Sequence, residues 1–244
     1  MSTGLAIFVK TPGHSPIKTR LARDIGRADA EQFHRLAAEA VASVARAAGE
    51  ALTPYWAVAE ATALGESCWQ DLPRLAQGDG DLGQRLDHIC AQLLARHERA
   101  LLIGADAPQI TPALLHQAIT ALDRPGTDFV LGPATDGGFW LFGTRIAVPA
   151  AVWQAPAYSR PTTGADLCKA LMHHGHTARL ATLGDVDTAD QFTVLARDLD
   201  ALASLTAAQQ HLRQWLTMHL PVAGPAWNPA SARHKIHSPR GSTP

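Results

Sequence analysis

The chain has 244 residues, 46% of them hydrophobic and 18% charged, with 21 Lys and Arg against 22 Asp and Glu. That length builds one large domain with a substantial core. The near balance of charge excludes a global field aimed at nucleic acid or membrane, so a ligand must be held by local charge. At 6%, aromatic residues are too few for a base-stacking platform.

Cys68, Cys90 and Cys168 lie far apart and form no CxxC, which argues against zinc and fits reduced thiols. The opening MSTGLAIFVK has too short an apolar run for a secretory signal and lacks a basic n-region. No apolar stretch approaches the length of a membrane span. The expectation is a cytoplasmic protein with no integral membrane segment and no nucleic-acid partner.

Gly4 to Val9 reads as a buried parallel strand, followed by a Lys/Pro/Gly-rich loop from Lys10 to about Arg20. Asp29 is placed to cap the next helix, where Phe33, Leu36, Ala37, Ala40, Val41 and Val44 recur at helical spacing and Gly49 marks the stop. Pro54 to Ala59 is a second strand. Asp81 to Arg96 is helical, with Leu82, Leu86, Ile89, Leu93 and Leu94 on one side. Ala100 to Gly104 is a short buried strand and Thr111 to Leu122 the helix after it. Asp128–Gly132 and Gly138–Gly143 are strands around an Asp-Gly-Gly turn. Thr162 to His174 is a helix ended by Gly175, and Ala178 to Leu183 a late strand. Helices near Ala189–Leu202 and Thr206–His219 close the series. Trp215 on the last of them reads as core rather than interface. From Pro221 the apolar periodicity stops and Pro, Ser, Gly and basic residues take over, so residues 1–220 read as the domain and 221–244 as a mobile tail.

Alternating strands and helices predict an α/β fold, a mainly parallel twisted sheet with helices on both faces. Ligands of such sheets bind beyond the carboxyl ends of the strands. There the sequence collects opposite charges. Lys10, Lys18 and Arg20 follow the first strand, Asp106 follows the Ala100 strand, Asp136 the Asp128 strand, and Asp185 and Asp187 the Ala178 strand. A diphosphate needs its charge neutralised, by Lys and Arg directly or through magnesium or manganese held by one or two carboxylates. Asp106 with Asp187 or Asp185 is the pair chosen for the ion.

Each residue also has a plainer reading. The basic loop is a solvated surface; Asp106 caps toward Pro108; Asp136 holds an Asp-Gly turn; Asp187 caps the helix near Ala189. Capping alone does not require the carboxylates to converge, and their joint placement at strand ends favours chemistry. The run Gly78-Asp79-Gly80-Asp81-Leu82-Gly83 matches GxGxxG, but it does not follow the first strand of a βαβ unit, and Asp79 and Asp81 repel a pyrophosphate. His173, His174 and His176 sit at a helix C-terminus, where the dipole favours imidazolium. No GxxxxGK[ST] and no GxSxG occurs.

Lys10–Leu21 (KTPGHSPIKTRL), Gln77–Leu86 (QGDGDLGQRL), Gly104–Pro108 (GADAP), Leu131–Gly143 (LGPATDGGFWLFG) and Asp185–Asp190 (DVDTAD) together resemble the bacterial selenodomain-associated transferase family. That family is glycosyltransferase-like, with the A-type glycosyltransferase (nucleotide-diphospho-sugar transferase) fold. More distantly the chain is similar to guanylyltransferases of molybdenum-cofactor and phospholactate metabolism. The resemblance runs from about Ile7 to about Phe192. It departs at Ser15-Pro16, where the family usually carries a glycine, and at Ala107, where it usually shows Cys or Ser.

The resemblance implies a nucleotide half and an acceptor half on one sheet. Lys10, Pro12, Lys18, Thr19 and Arg20 hold the phosphates, and Gln77, Gly78, Gly80 and Gly83 approach the base or ribose. Asp106 and Asp187, with Asp185 beside them, hold Mg2+ or Mn2+. Gly137 and Gly138 leave room for the sugar or acceptor, with Asp136 at the reacting centre as general base and Lys18 stabilising the leaving group. The expected reaction is glycosyl transfer from a nucleotide-sugar to a small-molecule or sugar acceptor. The alternatives are nucleotidyl transfer from a nucleoside triphosphate to a phosphorylated acceptor, and a non-catalytic nucleotide-binding protein.

Overall fold

A computed structural model describes residues 2–220. Seven strands form one sheet in the order β3-β2-β1-β4-β6-β5-β7. β1 (Thr3–Val9) lies inside the sheet, paired in parallel with β2 (Leu52–Val58) on one side and with the central strand β4 (Arg99–Gly104) on the other. β3 (Arg74–Ala76) extends the first side in parallel. β6 (Phe139–Thr144) is antiparallel to both β4 and β5 (Phe129–Pro133), because only the turn around Asp136-Gly137-Gly138 separates it from β5. β7 (Thr177–Arg179) closes the far edge, parallel to β5.

Helices cover both faces. The buried side chains of β1, β2 and β4 alternate between the two. Leu5, Ile7 and Ile103 face a core built with α2 (Arg27–Ala47) and α4 (Pro112–Asp123). Ala6, Ala57 and Leu102 face a second core with α3 (Leu82–Leu94), α5 (Ala150–Gln154) and α6 (Thr163–Leu171). Sheets covered on both faces read as continuous apolar runs, which is why LAIFV and ALLI are legible as strands. A third cluster joins α1 (Thr19–Ile25) and α2 to α7 (Phe192–Asp200) and α8 (Ala207–His219) through Leu21, Phe33, Phe192 and Trp215. The Phe33, Phe192 and Trp215 rings stand 5.2 to 5.8 Å apart, so Trp215 is core. No helix among the described residues is long and apolar enough to cross a membrane.

The elements differ from expectation in a few places. Gly26, not Asp29, is the N-cap of α2, and Asp29 sits in its first turn. The late strand is three residues long, with only an isolated bridge from Ala134 to Leu183 beyond it. Leu82 is exposed rather than on the buried side of α3. α1, β3 and α5 have seven residues or fewer, too short for a periodic signal; contacts from elsewhere hold them. The segment 221–244, read as a tail, lies outside the described residues.

Successive strands add to one side of β1 through β2 and β3, then to the other from β4 onward. The sheet order therefore reverses between β1 and β4; the helices that follow both strands, α2 and α4, pack on the same face, and the crevice lies beyond the carboxyl ends of these neighbours. Phe8 is in register with Gly104, so the chain after β1 and the chain carrying Asp106 leave the sheet side by side.

Candidate functional site

The loop after β1 begins with a tight turn. Thr11-Pro12-Gly13-His14 closes with the His14 amide donating to the Thr11 carbonyl at 3.1 Å, and Gly13 supplies φ +83°. Pro at the second turn position and Gly at the third suit a type II turn. The neighbouring segment straps this turn down. Glu60 accepts the Thr11 amide at 2.9 Å and the Ser15 hydroxyl, and Trp69 Nε1 donates to Thr11 Oγ1 at 3.0 Å. Burial raises the Glu60 carboxyl, but these donors outweigh it and hold its pKa below the usual range. Lys10 is exposed and donates to the Pro16 carbonyl, across its own loop. Thr19 opens α1 and is exposed.

Lys18 follows in the left-handed conformation, φ 45°, which costs a non-glycine residue roughly 1–2 kcal/mol. The conformation drops its side chain, 6% exposed, between two carboxylates. Nζ stands 2.9 Å from Asp106 Oδ1 and 3.3 Å from Asp187 Oδ1, and it also donates to the Val186 carbonyl. Arg20 takes the other oxygen of Asp187 at 3.2 Å. The result is an alternating chain, Arg20–Asp187–Lys18–Asp106, at the crevice between β1 and β4. Burial works against the Lys18 ammonium, yet Asp106 and Asp187 hold its pKa above the ordinary value. Burial likewise works against the Asp106 carboxylate, and Lys18, with His34 behind it, holds its pKa below the usual range. Lys18 is enclosed while Asp106 and Asp187 are 49% and 38% exposed, so the chain is covered from beneath and open above.

The cap readings resolve residue by residue. Thr111 caps α4, so Asp106 is released to Lys18. Thr188 and Gln191 form the capping box at Ala189, so Asp187 is released to Lys18 and Arg20. Asp136 does hold its turn, accepting the Gly138 amide at 2.8 Å. Asp185 accepts the Thr135 hydroxyl at 3.5 Å; burial first, then Asp136 and Asp187, push its pKa up. Asp136, Asp185 and Asp187 therefore share one patch, and of the three only Asp187 forms an ion pair among the described residues.

Several residues behave differently from their expected parts. Gln77 is buried and donates to the Val9 and Ala57 carbonyls, bracing the ends of β1 and β2 instead of facing outward. Gly78 and Gly80 have φ +79° and +96°, which their bend requires. At Gly83 a Cβ would meet the Trp153 carbonyl at 2.5 Å, so this glycine lets α3 pack on α5. At Gly137 a Cβ would meet the Pro161 carbonyl at 1.9 Å. The space beside Gly137 is thus filled by the chain's own loop, and Gly164 donates to the Gly137 carbonyl at 2.9 Å. At Gly138 the nearest atom is Asp136 Oδ1, at 3.0 Å from such a Cβ.

Three supporting residues escaped the sequence reading. His34 is buried and its Nε2 donates to the Lys10 carbonyl at 3.0 Å; burial first, then the lysines, keep its pKa below the ordinary value despite Asp106. Gln109 donates to the Gly184 carbonyl at 2.7 Å, tying the Asp106 loop to the Asp185–Asp187 loop. Gln209 donates to the carbonyls of Pro108 and Ile110 at 2.9 and 3.0 Å while its Oε1 caps α8 at Thr206. Thr206-x-x-Gln209 is a visible capping signature, but its second task depends on where α8 lands.

The residues fit a divalent ion. Asp106 and Asp187 both reach one cationic point, and both offer the oxygen ligands that magnesium and manganese prefer. Among the described residues no group of three or more His, Cys, Asp or Glu side chains forms a protein cage. An ion there would have to share its coordination with water and ligand oxygens.

Residues 36–160, just over half of the chain, match the model of a bacterial family described as "Uncharacterized protein conserved in bacteria (DUF2064)". The match contains Asp106 and Asp136 and leaves Lys18, Arg20, Asp185 and Asp187 outside it. Among curated protein sequences, none matches the chain. Solved structures do. A protein from Desulfovibrio desulfuricans G20, provisionally described as a nucleotide-diphospho-sugar transferase, is 22% identical, with a TM-score of 0.77 over 90% of this chain and 99% of that one. The 4-diphosphocytidyl-2C-methyl-D-erythritol synthase of Anaerococcus prevotii DSM 20548 is 9% identical, with a TM-score of 0.53 over 82% and 96%. A CMP:2-keto-3-deoxy-manno-octonic acid synthetase complexed with CTP is 13% identical, with a TM-score of 0.50 over 83% and 100%. These likenesses establish the fold as that of nucleotide-diphospho-sugar transferases and nucleotidyltransferases.

Proposed function

The chain belongs to the DUF2064 family, and from the site it carries we propose that it is a metal-dependent glycosyltransferase using a nucleotide-sugar. The observation that carries this reading is the Arg20–Asp187–Lys18–Asp106 chain at the point where the sheet order reverses. Cations and ion-binding carboxylates interleaved at a crevice suit a polyphosphate, whose charge both kinds of group neutralise. The narrower resemblance to selenodomain-associated transferases, and its donor and acceptor types, belong to the same proposal.

Asp106 and Asp187 would hold Mg2+ or Mn2+, which supplies Lewis-acid stabilisation of the leaving diphosphate. Lys18 and Arg20 add fixed positive charge beside it, with Lys10 and the Pro12 turn on the solvent side. Charge that is already oriented costs no reorganisation when the leaving group develops its own. Asp136, beside Asp185, takes the proton of an acceptor hydroxyl. Gly138 uses Oδ1 of Asp136, which leaves Oδ2 without a hydrogen bond among the described residues.

The acceptor side separates glycosyl from nucleotidyl transfer. A hydroxyl acceptor needs a base, and Asp136 with Asp185 offers one. A phosphorylated acceptor arrives already ionised and would meet two carboxylates of its own sign. Nucleotidyl transfer keeps a specific support of its own, the likeness to two cytidylyl-forming synthetases.

Incubation of the protein with each common nucleotide-sugar and each nucleoside triphosphate, with magnesium or manganese and mass-spectrometric readout, tests this. Free nucleoside diphosphate and sugar are expected. Pyrophosphate from one triphosphate, with every nucleotide-sugar intact, would replace the proposal by the nucleotidyl reading.

A further inference from the structure

Lys18 already fills the place of the ion. Its ammonium has three N–H donors, and all three have acceptors: Asp106, Asp187 and the Val186 carbonyl. Arg20 occupies the remaining oxygen of Asp187 that faces the site. Two carboxylates are therefore matched by two cations before any ligand arrives. An ion arriving alone must take both carboxylates from a buried ammonium and leave it only the neutral Val186 carbonyl, a costly outcome for an enclosed charge. It would gain only two protein ligands, because no third carboxylate, histidine or cysteine of the described residues converges there.

A polyphosphate reverses both terms. Its oxygens complete the coordination of an ion that the protein only half encloses. The same oxygens give the displaced ammonium an anionic acceptor. Lys18 reaches them on a flexible four-carbon stem, and the exposed faces of Asp106 and Asp187 open on that side. We infer that Lys18 is a specificity-determining residue, the resident cation of the Asp106–Asp187 pair, and that it makes this site accept the metal only as a metal–nucleotide complex. The inference rests on the nucleotide reading of the site and deepens it.

The test is Mn2+ binding followed by electron paramagnetic resonance on the full-length chain, taking the part of the binding lost in Asp106→Asn as that of this site. Without nucleotide, the wild type is expected to show no such binding, and Lys18→Met to acquire it at least roughly tenfold more tightly. With a mixture of the common nucleoside diphosphates added, the wild type is expected to take up Mn2+. Lys18→Arg, which restores the positive charge, is expected to exclude free Mn2+ as the wild type does. Asp106-dependent binding of Mn2+ alone to the wild type, as tight as in Lys18→Met, overturns the inference. That comparison holds even if Lys18→Met folds poorly, because free-metal binding by the wild type is measured on its own. The free-metal arms contain no nucleotide, so their failure is distinct from failure of the donor panel.

Discussion

The two halves of the sheet edge treat charge in opposite ways. Beside β1 and β4, four charges of the crevice are linked in ion pairs: Arg20 with Asp187, Asp187 with Lys18, Lys18 with Asp106. Beyond β5 and β6, Asp136 and Asp185 stand together with no ion pair among the described residues, and burial first, then Asp136 and Asp187, raise the Asp185 carboxyl against a weaker pull from Lys18. The contrast teaches that the proposed reaction would draw on the two halves differently. The first would exchange one set of ion pairs for another when a polyphosphate enters. The second would offer a carboxylate to a proton. Packing follows the same division, since Gln109 and Gln209 pin the loops of the paired half while close glycine contacts shape the other.

Four variants break or sharpen this comparison. Asp106→Asn removes the charge of one ion ligand and of one of the two carboxylates that pair with Lys18; turnover on the donor identified by the panel should fall by roughly 10²–10³, measured at saturating metal. Retained turnover would take Asp106 out of the site. Asp136→Asn should lower the rate with a hydroxyl acceptor by about 10²–10⁴ while leaving the donor dissociation constant unchanged. A loss of donor affinity instead would show that the halves are not separable. Gly137→Ala sets a methyl where the Pro161 carbonyl stands, at a φ of +89°. It should destabilise the fold by about 1–3 kcal/mol in urea unfolding. An unchanged midpoint would mean that the Pro161 loop yields freely.

The smallest effect concerns His34. The unfolded chain protonates it near the ordinary value of 6.5, whereas the folded chain resists because burial and the lysines disfavour imidazolium. The unfolded state then binds more protons, so stability falls as pH drops below 6.5 towards the lower folded value. His34→Gln should flatten that part of the melting-temperature profile between pH 7.5 and about 5. A profile identical to wild type would place the titration elsewhere. Asp106 acts lower on the scale: its depressed pKa stabilises the fold above the ordinary 3.8 and is lost as pH falls below it.

Much of the fold was legible because burial writes itself into composition. GLAIFV and ALLIG are apolar on both faces and short, and they became β1 and β4. Phe33, Leu36, Ala37, Ala40, Val41 and Val44 follow the helical period and form the buried stripe of α2. The short elements carried no such record. α1 is held by Leu21 in the third core cluster and by Asp24, which accepts the Ala189 amide from 165 residues away. The candidate residues were legible as types and strand-end positions, but not as partners. Nothing in KTRL says that Lys18 turns left-handed to lie between Asp106 and Asp187, or that Pro161 fills the space beside Gly137.

Local chemistry thus settled which residues stand at the carboxyl ends of the strands, since the alternation of apolar runs and turns is a property of neighbours along the chain. Tertiary structure decided which of them meet. The crevice exists because β4 joins β1 on the side opposite β2, and only that order brings residues 18, 106 and 187 to one point. The energy of a charge depends on the groups within a few ångströms of it, and for Lys18 two of those groups lie 88 and 169 residues further along the chain.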